Sequence, residues 1–144
     1  MKKLLLPIIA TVMLLSGCSE KAHMTTWYYN VHQNEWIEHI VLNPDDNTYS
    51  TDYYYAAFRN EDITPDVMIN GAVLVYFIDS DGRDNLLPYE SYLLGGLGPY
   101  QEMLEYQIEE GVITFIIKST DFLIGQTVAD LGTMKFKVVV LSSY

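Results

Sequence analysis

The sequence contains a single cysteine, Cys18, in 144 residues. One cysteine cannot form an intramolecular disulfide, and it leaves no second thiol for a cysteine-rich zinc site. The fold must therefore be held together by its hydrophobic core. We expect no bound cofactor.

Basic residues are scarce: the chain has 8 lysines and arginines against 19 aspartates and glutamates, for a net charge of −11. Lys2 and Lys3 precede Cys18, whereas all the acidic residues follow it, so the part after Cys18 carries about −13. This charge balance argues against nucleic-acid partners and against adsorption on anionic lipid head groups.

No apolar run is long enough to span a bilayer, which takes about 20 residues. The apolar stretch from Leu4 to Leu15 contains Pro7, follows a basic start and ends in Leu15-Ser16-Gly17-Cys18. This order is typical of a secretory signal, and its end resembles the lipobox of bacterial lipoproteins. The resemblance implies cleavage before Cys18 and acylation of that residue.

Lipidation of Cys18 would make the chain a membrane-anchored protein of the cell envelope. Ser19 does not resemble the aspartate that retains enterobacterial lipoproteins in the inner membrane, which favours the outer membrane. The predicted organisation is a signal peptide over residues 1–17, the lipidated cysteine and a tether over 18–24, and one domain over 25–144.

Repeats and long helical periods are also absent; short apolar runs alternate instead with turn signals. This pattern predicts an all-β fold, an antiparallel β-sandwich of about seven or eight strands. One short helix is expected near residues 65–70, because Thr64 suits an N-cap, Pro65 a first helical position and Gly71 a stop. Ala72–Ile78 is apolar throughout and predicts a central strand covered on both faces.

The sequence from Glu102 to Lys118 predicts a β-hairpin. A two-residue loop at Glu110-Gly111 would pair Ile108 with Ile113, so that core residues meet core residues. A type I turn with a bulge at Gly111 would instead pair Ile108 with Val112. We predict the two-residue register.

The chain contains, in order, Trp36, Tyr53-Tyr54-Tyr55, Ile63-Thr64, Gly71–Tyr76, Leu87-Pro88-Tyr89 and Phe136–Val140. This succession resembles a group of small lipoproteins of Bacteroidetes-type bacteria. The resemblance implies the envelope compartment and a β-fold. It implies no catalytic residue.

An acidic turn is the first candidate site. Its carboxylates could offer oxygen ligands to calcium, with a further one at the twelfth position from Asp79. Arg83 stands where a ligand is needed, so a plain β-turn that uses Asp and Gly is the favoured alternative. The candidate calcium ligands are Asp79, Asp81, Asp84 and Glu90.

Aromatic side chains in the first third of the chain are the second candidate site. They could form a surface for stacking on sugar rings or docking a protein, provided that some remain exposed beside a tryptophan. The residues concerned are Trp27, Trp36, Tyr53, Tyr54 and Tyr55. The expected function is a non-catalytic binding or structural module with an envelope protein or glycan as partner. The alternative is a small glycan-active enzyme that uses paired carboxylates.

Overall fold

The structure, a computed structural model, describes residues 22–95, 98–119 and 132–143. It is an all-β sandwich of two antiparallel sheets, as predicted. The elements are β1 (Ala22–Val31), a 3-10 turn (Gln33–Glu35), β2 (Ile37–Leu42), β3 (Tyr49–Arg59), α1 (Pro65–Asn70), β4 (Ala72–Ile78), β5 (Asp84–Leu86), β6 (Tyr89–Gly95), β7 (Gly98–Glu109), β8 (Val112–Ser119) and β9 (Met134–Ser143). One sheet has the order β1-β9-β4-β5, and the other has the order β2-β3-β8-β7-β6.

The described residues form nine strands rather than seven or eight. The difference comes from β5, which has three residues, and from β6, which has no clean alternation of apolar and polar residues. β1 also begins at Ala22, before the domain start predicted at residue 25, because Ala22–Met24 pair with the end of β9.

The core lies between the two inner faces. Phe115 of β8 and Phe136 of β9 stack across it with their ring centroids 4.1 Å apart and their planes 10° from parallel. Both rings are almost wholly buried, and Trp36 packs edge-on against Phe136 at 6.4 Å. Tyr106 adds a polar link between the sheets, since its hydroxyl donates to the carbonyl of Val73 at 3.1 Å.

β4 is an internal strand, but only one of its faces is buried. Val73 and Val75 point into the core, whereas Leu74, Tyr76 and Ile78 are half-buried on the opposite side. The prediction of cover on both faces was therefore wrong. A two-layer sandwich leaves the outer face of each sheet without a second layer.

The β7–β8 hairpin has the two-residue register. Ile108 pairs with Ile113 and Leu104 pairs with Ile117, as predicted. The backbone φ is positive at Gly111 (73°) and not at Glu110, so the glutamate avoids the unfavourable conformation of a type I′ turn. The loop before α1 holds the tip, because the amide of Gly111 donates to the carbonyl of Ile63 at 2.8 Å.

The short helix α1 has the predicted start. The side chain of Thr64 accepts a hydrogen bond from the amide of Val67 at 3.2 Å, and Pro65 occupies the first turn. Gly71 ends the helix at φ −107°, an ordinary extended conformation. Glycine is needed at position 71 because there is no space for a side chain: a Cβ there would lie 2.2 Å from the carbonyl oxygen of Leu141.

Replacing Gly71 by alanine is expected to lower the free energy of unfolding by about 2–3 kcal/mol, because a backbone atom of β9 must move. Gly82→Ala is the matched control: Gly82 has φ +79° but nothing within 4 Å of an added Cβ. It should cost about 1 kcal/mol from backbone strain alone. Chemical denaturation measures both, and an equal or smaller effect at Gly71 would contradict the steric account.

Candidate functional site

The acidic residues of the first candidate site serve a turn. Asp79 accepts backbone hydrogen bonds from Asp81 at 3.0 Å and Arg83 at 2.9 Å, and these bonds contribute to the lowered pKa of its carboxyl group. Arg83 also forms an ion pair with Asp81. Gly82 provides the positive φ that closes the turn.

The structure does not gather the four calcium candidates. Asp84 pairs with Lys137 of β9, while Glu90 lies on the other sheet and accepts from Gln101 at 2.8 Å. Among the described residues, no group of three or more His, Cys, Asp or Glu side chains has the geometry to hold a metal ion. The segment is a β-turn between β4 and β5, which was the alternative from the sequence.

The five predicted aromatic residues do not form one surface. Trp27 is 38% exposed on β1, whereas Trp36 is 7% exposed and belongs to the core. Tyr54 points inward among residues packed on the core, and only Tyr53 and Tyr55 lie on the outer face of the five-stranded sheet. The reason is the alternation along β3, which places neighbouring tyrosines on opposite faces.

A smaller aromatic surface does exist on that outer face, and we call it the aromatic ledge. It consists of Ile37, His39, Tyr53 and Tyr55. The rings of His39 and Tyr53 stack in parallel with centroids 4.3 Å apart, and Tyr55 meets Tyr53 edge-on at 6.2 Å. Ile37 is cross-strand from Tyr55 and 52% exposed.

A buried side chain of the neighbouring strand lies next to the ledge. Ile116 of β8 is the neighbour of Tyr55 and is only 4% exposed, although it points away from the core. The ion pair between Lys118 and Glu105, 2.5 Å long, borders it on the next strands. The ledge is therefore a flat surface of aromatic and aliphatic side chains with a polar border, which is typical of interaction surfaces.

A polar cleft of about 300 Å³ lies at the end of the sandwich where β1 begins. It lies between β1, the end of β9, and the loop that leads into α1. Its lining is rich in carboxylates and hydroxyls, and comprises His23, Thr25, Glu61, Asp62, Thr64, Asp66, Val67, Val140 and Ser142.

Asp62 is the most constrained group of the cleft. Its Oδ2 accepts hydrogen bonds from the hydroxyl of Thr25 and from the indole Nε1–H of Trp27, both 2.7 Å long. These bonds, Thr25 first, lower the pKa of the Asp62 carboxyl group from its ordinary value of 3.8. The carboxylate ties the edge strand β1 to the loop before α1.

Asn60 positions this loop from inside the protein. Its side chain is fully buried, donates to the hydroxyl of Tyr29 at 2.9 Å and accepts from the amide of Asp62 at 3.1 Å. Its own amide donates to the carbonyl of Gly111 at 2.9 Å. Asn60 thus joins β1, the hairpin tip and the cleft.

Asp62 is poorly suited to act as a general acid. A general acid in glycoside hydrolysis needs a raised pKa, and that of Asp62 is lowered by the bonds that fix its position. An ionised carboxylate that already accepts two short hydrogen bonds is a structural anchor. The geometry of Asp62 therefore does not favour the enzyme alternative.

Neither Asn60 nor Asp62 was predicted as a functional residue. The signal available was the polar run Asn60-Glu61-Asp62 directly before the helix start, which reads as a turn. The partners of Asp62 come from β1, far away along the chain, so the sequence could not reveal them. The stacking of His39 on Tyr53 likewise depends on the register of β2 against β3.

Cys18, the predicted lipidation site, lies outside the described residues. Within the part of the chain that the structure describes, no helix combines the length and apolar character required to cross a bilayer. Comparisons with protein-family models, with curated proteins and with solved structures give no match to this chain.

Replacing Asp62 by asparagine is expected to destabilise the fold by about 1.5 kcal/mol at neutral pH, because two hydrogen bonds to a charged acceptor are weakened. The native pKa is lowered, so the contribution is present above about pH 5 and fades as the pH falls through the native pKa.

Denaturation of wild type and variant at several pH values measures this effect. Glu61→Gln is the control, since Glu61 is exposed and its ion pair is with the exposed Arg59 at 3.5 Å. An Asp62→Asn effect as small as that of Glu61→Gln, or one that grows at low pH, would contradict the assignment.

Proposed function

We propose that the protein is a lipid-anchored, non-catalytic binding module of the cell envelope that recognises a partner through the aromatic ledge. The observation that carries this proposal is the pair of parallel rings of His39 and Tyr53 at 4.3 Å, on a face that no second layer of the described sandwich covers.

Support for the anchor comes from the sequence around Cys18. The basic start, the short apolar run and the small residues before the cysteine together indicate export and lipidation. Two or more acyl chains give stable anchoring, because each buried methylene contributes about 0.8 kcal/mol. The outer membrane is the proposed location, in keeping with Ser19.

Support for a protein partner comes from the shape and composition of the ledge. It is flat, it exposes the aliphatic side chain of Ile37, and an ion pair borders it. Flat mixed surfaces of this kind suit a protein, whereas a sugar is usually held in a groove between aromatic rings. A glycan remains the second class of partner that stacked rings could bind.

Within the part of the chain that the structure describes, no observation supports the enzyme alternative. Its strongest location is the polar cleft, and the carboxylate fixed there is held in its ionised form by Thr25 and Trp27. A binding module needs no such group. An exposed surface on the outer face of a sheet is sufficient.

The anchor predicts that Cys18→Ala moves the protein from the membrane fraction to the aqueous fraction and abolishes incorporation of labelled palmitate. The change of fraction and the loss of labelling both follow from removal of the thiol that carries the lipid. Ser19→Ala is the control and should leave labelling intact. If the wild-type protein incorporates no labelled palmitate, the proposed anchor is contradicted.

The ledge predicts that a photo-crosslinking residue at Ile37, in the full chain in intact cells, yields a discrete adduct. Tyr53→Ala should reduce that adduct strongly, since loss of an interface aromatic residue costs about 2 kcal/mol or more, roughly 30-fold in affinity. Tyr49→Ala is the matched control on the same strand, with a side chain 74% exposed and outside the ledge.

An adduct that survives Tyr53→Ala as well as Tyr49→Ala would contradict the ledge as the binding surface. A thermal-shift screen against a glycan panel separates the two partner classes. A Tyr53-dependent shift with a sugar would replace the protein partner by a glycan.

A further inference from the structure

The four-stranded sheet is almost free of acidic residues in a strongly acidic chain. Its strands β1, β4, β5 and β9 together contain one, Asp84, although the chain has 19. The outer face of this sheet also carries Lys135 and Lys137, so its local charge is opposite in sign to that of the whole protein. Lys137 pairs with Asp84 and lies 4.4 Å above the ring of Tyr76.

Apart from Thr26 and Asn30, the rest of this outer face is apolar or aromatic. Met24 is 64% exposed, Tyr28 is 68% exposed and Leu86 is 53% exposed. Between them lie the half-buried side chains of Leu74 and Val139, which are cross-strand neighbours. Exposed apolar, tyrosine and lysine side chains on one surface are the combination found where proteins meet the bilayer interface.

The predicted tether leads into β1, an edge strand of this same four-stranded sheet. β1 begins four residues after Cys18, and four residues of extended chain reach at most about 14 Å. Met24 lies at this end of the outer face, in one row with Leu141 and Ala72. Ile69, at the end of α1 just before Ala72, is 79% exposed.

Asp62, an acidic residue near the start of β1, lies on the other side of that strand. Asp62 bonds to Thr25 and Trp27, which alternate with Met24 and Thr26 along the strand and point toward the five-stranded sheet. A bilayer against the outer face would therefore meet the apolar and lysine side chains of the sheet first, with the Asp62 carboxylate turned away.

We propose that the outer face of the four-stranded sheet lies on the lipid bilayer that holds Cys18. The inference rests on the proposed lipid anchor and adds an orientation to it. The aromatic ledge is on the opposite sheet, so it points away from the membrane and toward partners. The negative net charge of the chain does not oppose this contact, because the face in question carries little of it.

The test uses full-length lipidated protein in vesicles of phosphatidylethanolamine with phosphatidylglycerol as the minor lipid. An environment-sensitive fluorophore is attached to Thr26→Cys on the outer face or to Gln107→Cys on the five-stranded sheet. Both native side chains are exposed, and the lipid occupies the thiol of Cys18. We expect blue-shifted emission and quenching by spin-labelled lipid for the label at 26, and neither for the label at 107.

Flotation with the vesicles is measured in the same samples. If the protein floats with the vesicles but both fluorophores remain exposed to water, the proposed orientation is wrong and the anchor is retained. Shielding of the label at 107 alone would overturn it as well, by placing the ledge on the membrane. If the protein fails to float with the vesicles, both the proposed anchor and the proposed orientation are contradicted.

Tyr28→Glu provides a second variant that retains the tether. A carboxylate at this exposed edge position should weaken the lipid contact, so the quenching of the label at 26 falls while flotation persists. An unchanged melting temperature shows that the fold is intact. Unchanged quenching in this variant would also overturn the proposal.

Discussion

The stack of Phe115 on Phe136 is the contact on which the rest of the structure depends. It joins the central strand of one sheet to an internal strand of the other, in a fold that has no disulfide to do so. Once these two rings face each other, alternation along each strand decides which side chains are buried. Tyr53 and Tyr55 then lie outside one sheet, and Met24 and Tyr28 outside the other. Both proposed surfaces follow from the position of this stack.

Local signals were enough to predict several elements. Thr64, Pro65 and Gly71 delimit α1, and the alternation of apolar residues around Glu110-Gly111 fixed the hairpin register. In each case the determining residues lie within a few positions of one another, where capping and cross-strand pairing act.

The surfaces depend on contacts between distant parts of the chain and could not be predicted in this way. Trp36 was a candidate for the surface, yet it packs on Phe136, a hundred positions later. Asp62 reads as a turn residue until β1 places Thr25 and Trp27 against it. The calcium hypothesis could not be decided from the sequence either, because it depends on how distant carboxylates are placed. In the structure the carboxylates of Asp79 and Asp81 bind groups of the turn itself, and Glu90 lies on the five-stranded sheet.

We propose a module with two different outer faces, one sheet directed toward lipid and the other toward a partner. Hydroxyl-radical footprinting of the full-length protein, on vesicles and as the unanchored Cys18→Ala variant, tests it most directly. Tyr28 and Tyr92 are exposed to similar extents, 68% and 78%, on opposite outer faces. The account predicts that the bilayer protects Tyr28 from oxidation and leaves Tyr92 as reactive as before. Equal protection of the two tyrosines, or protection of Tyr92 alone, would contradict it.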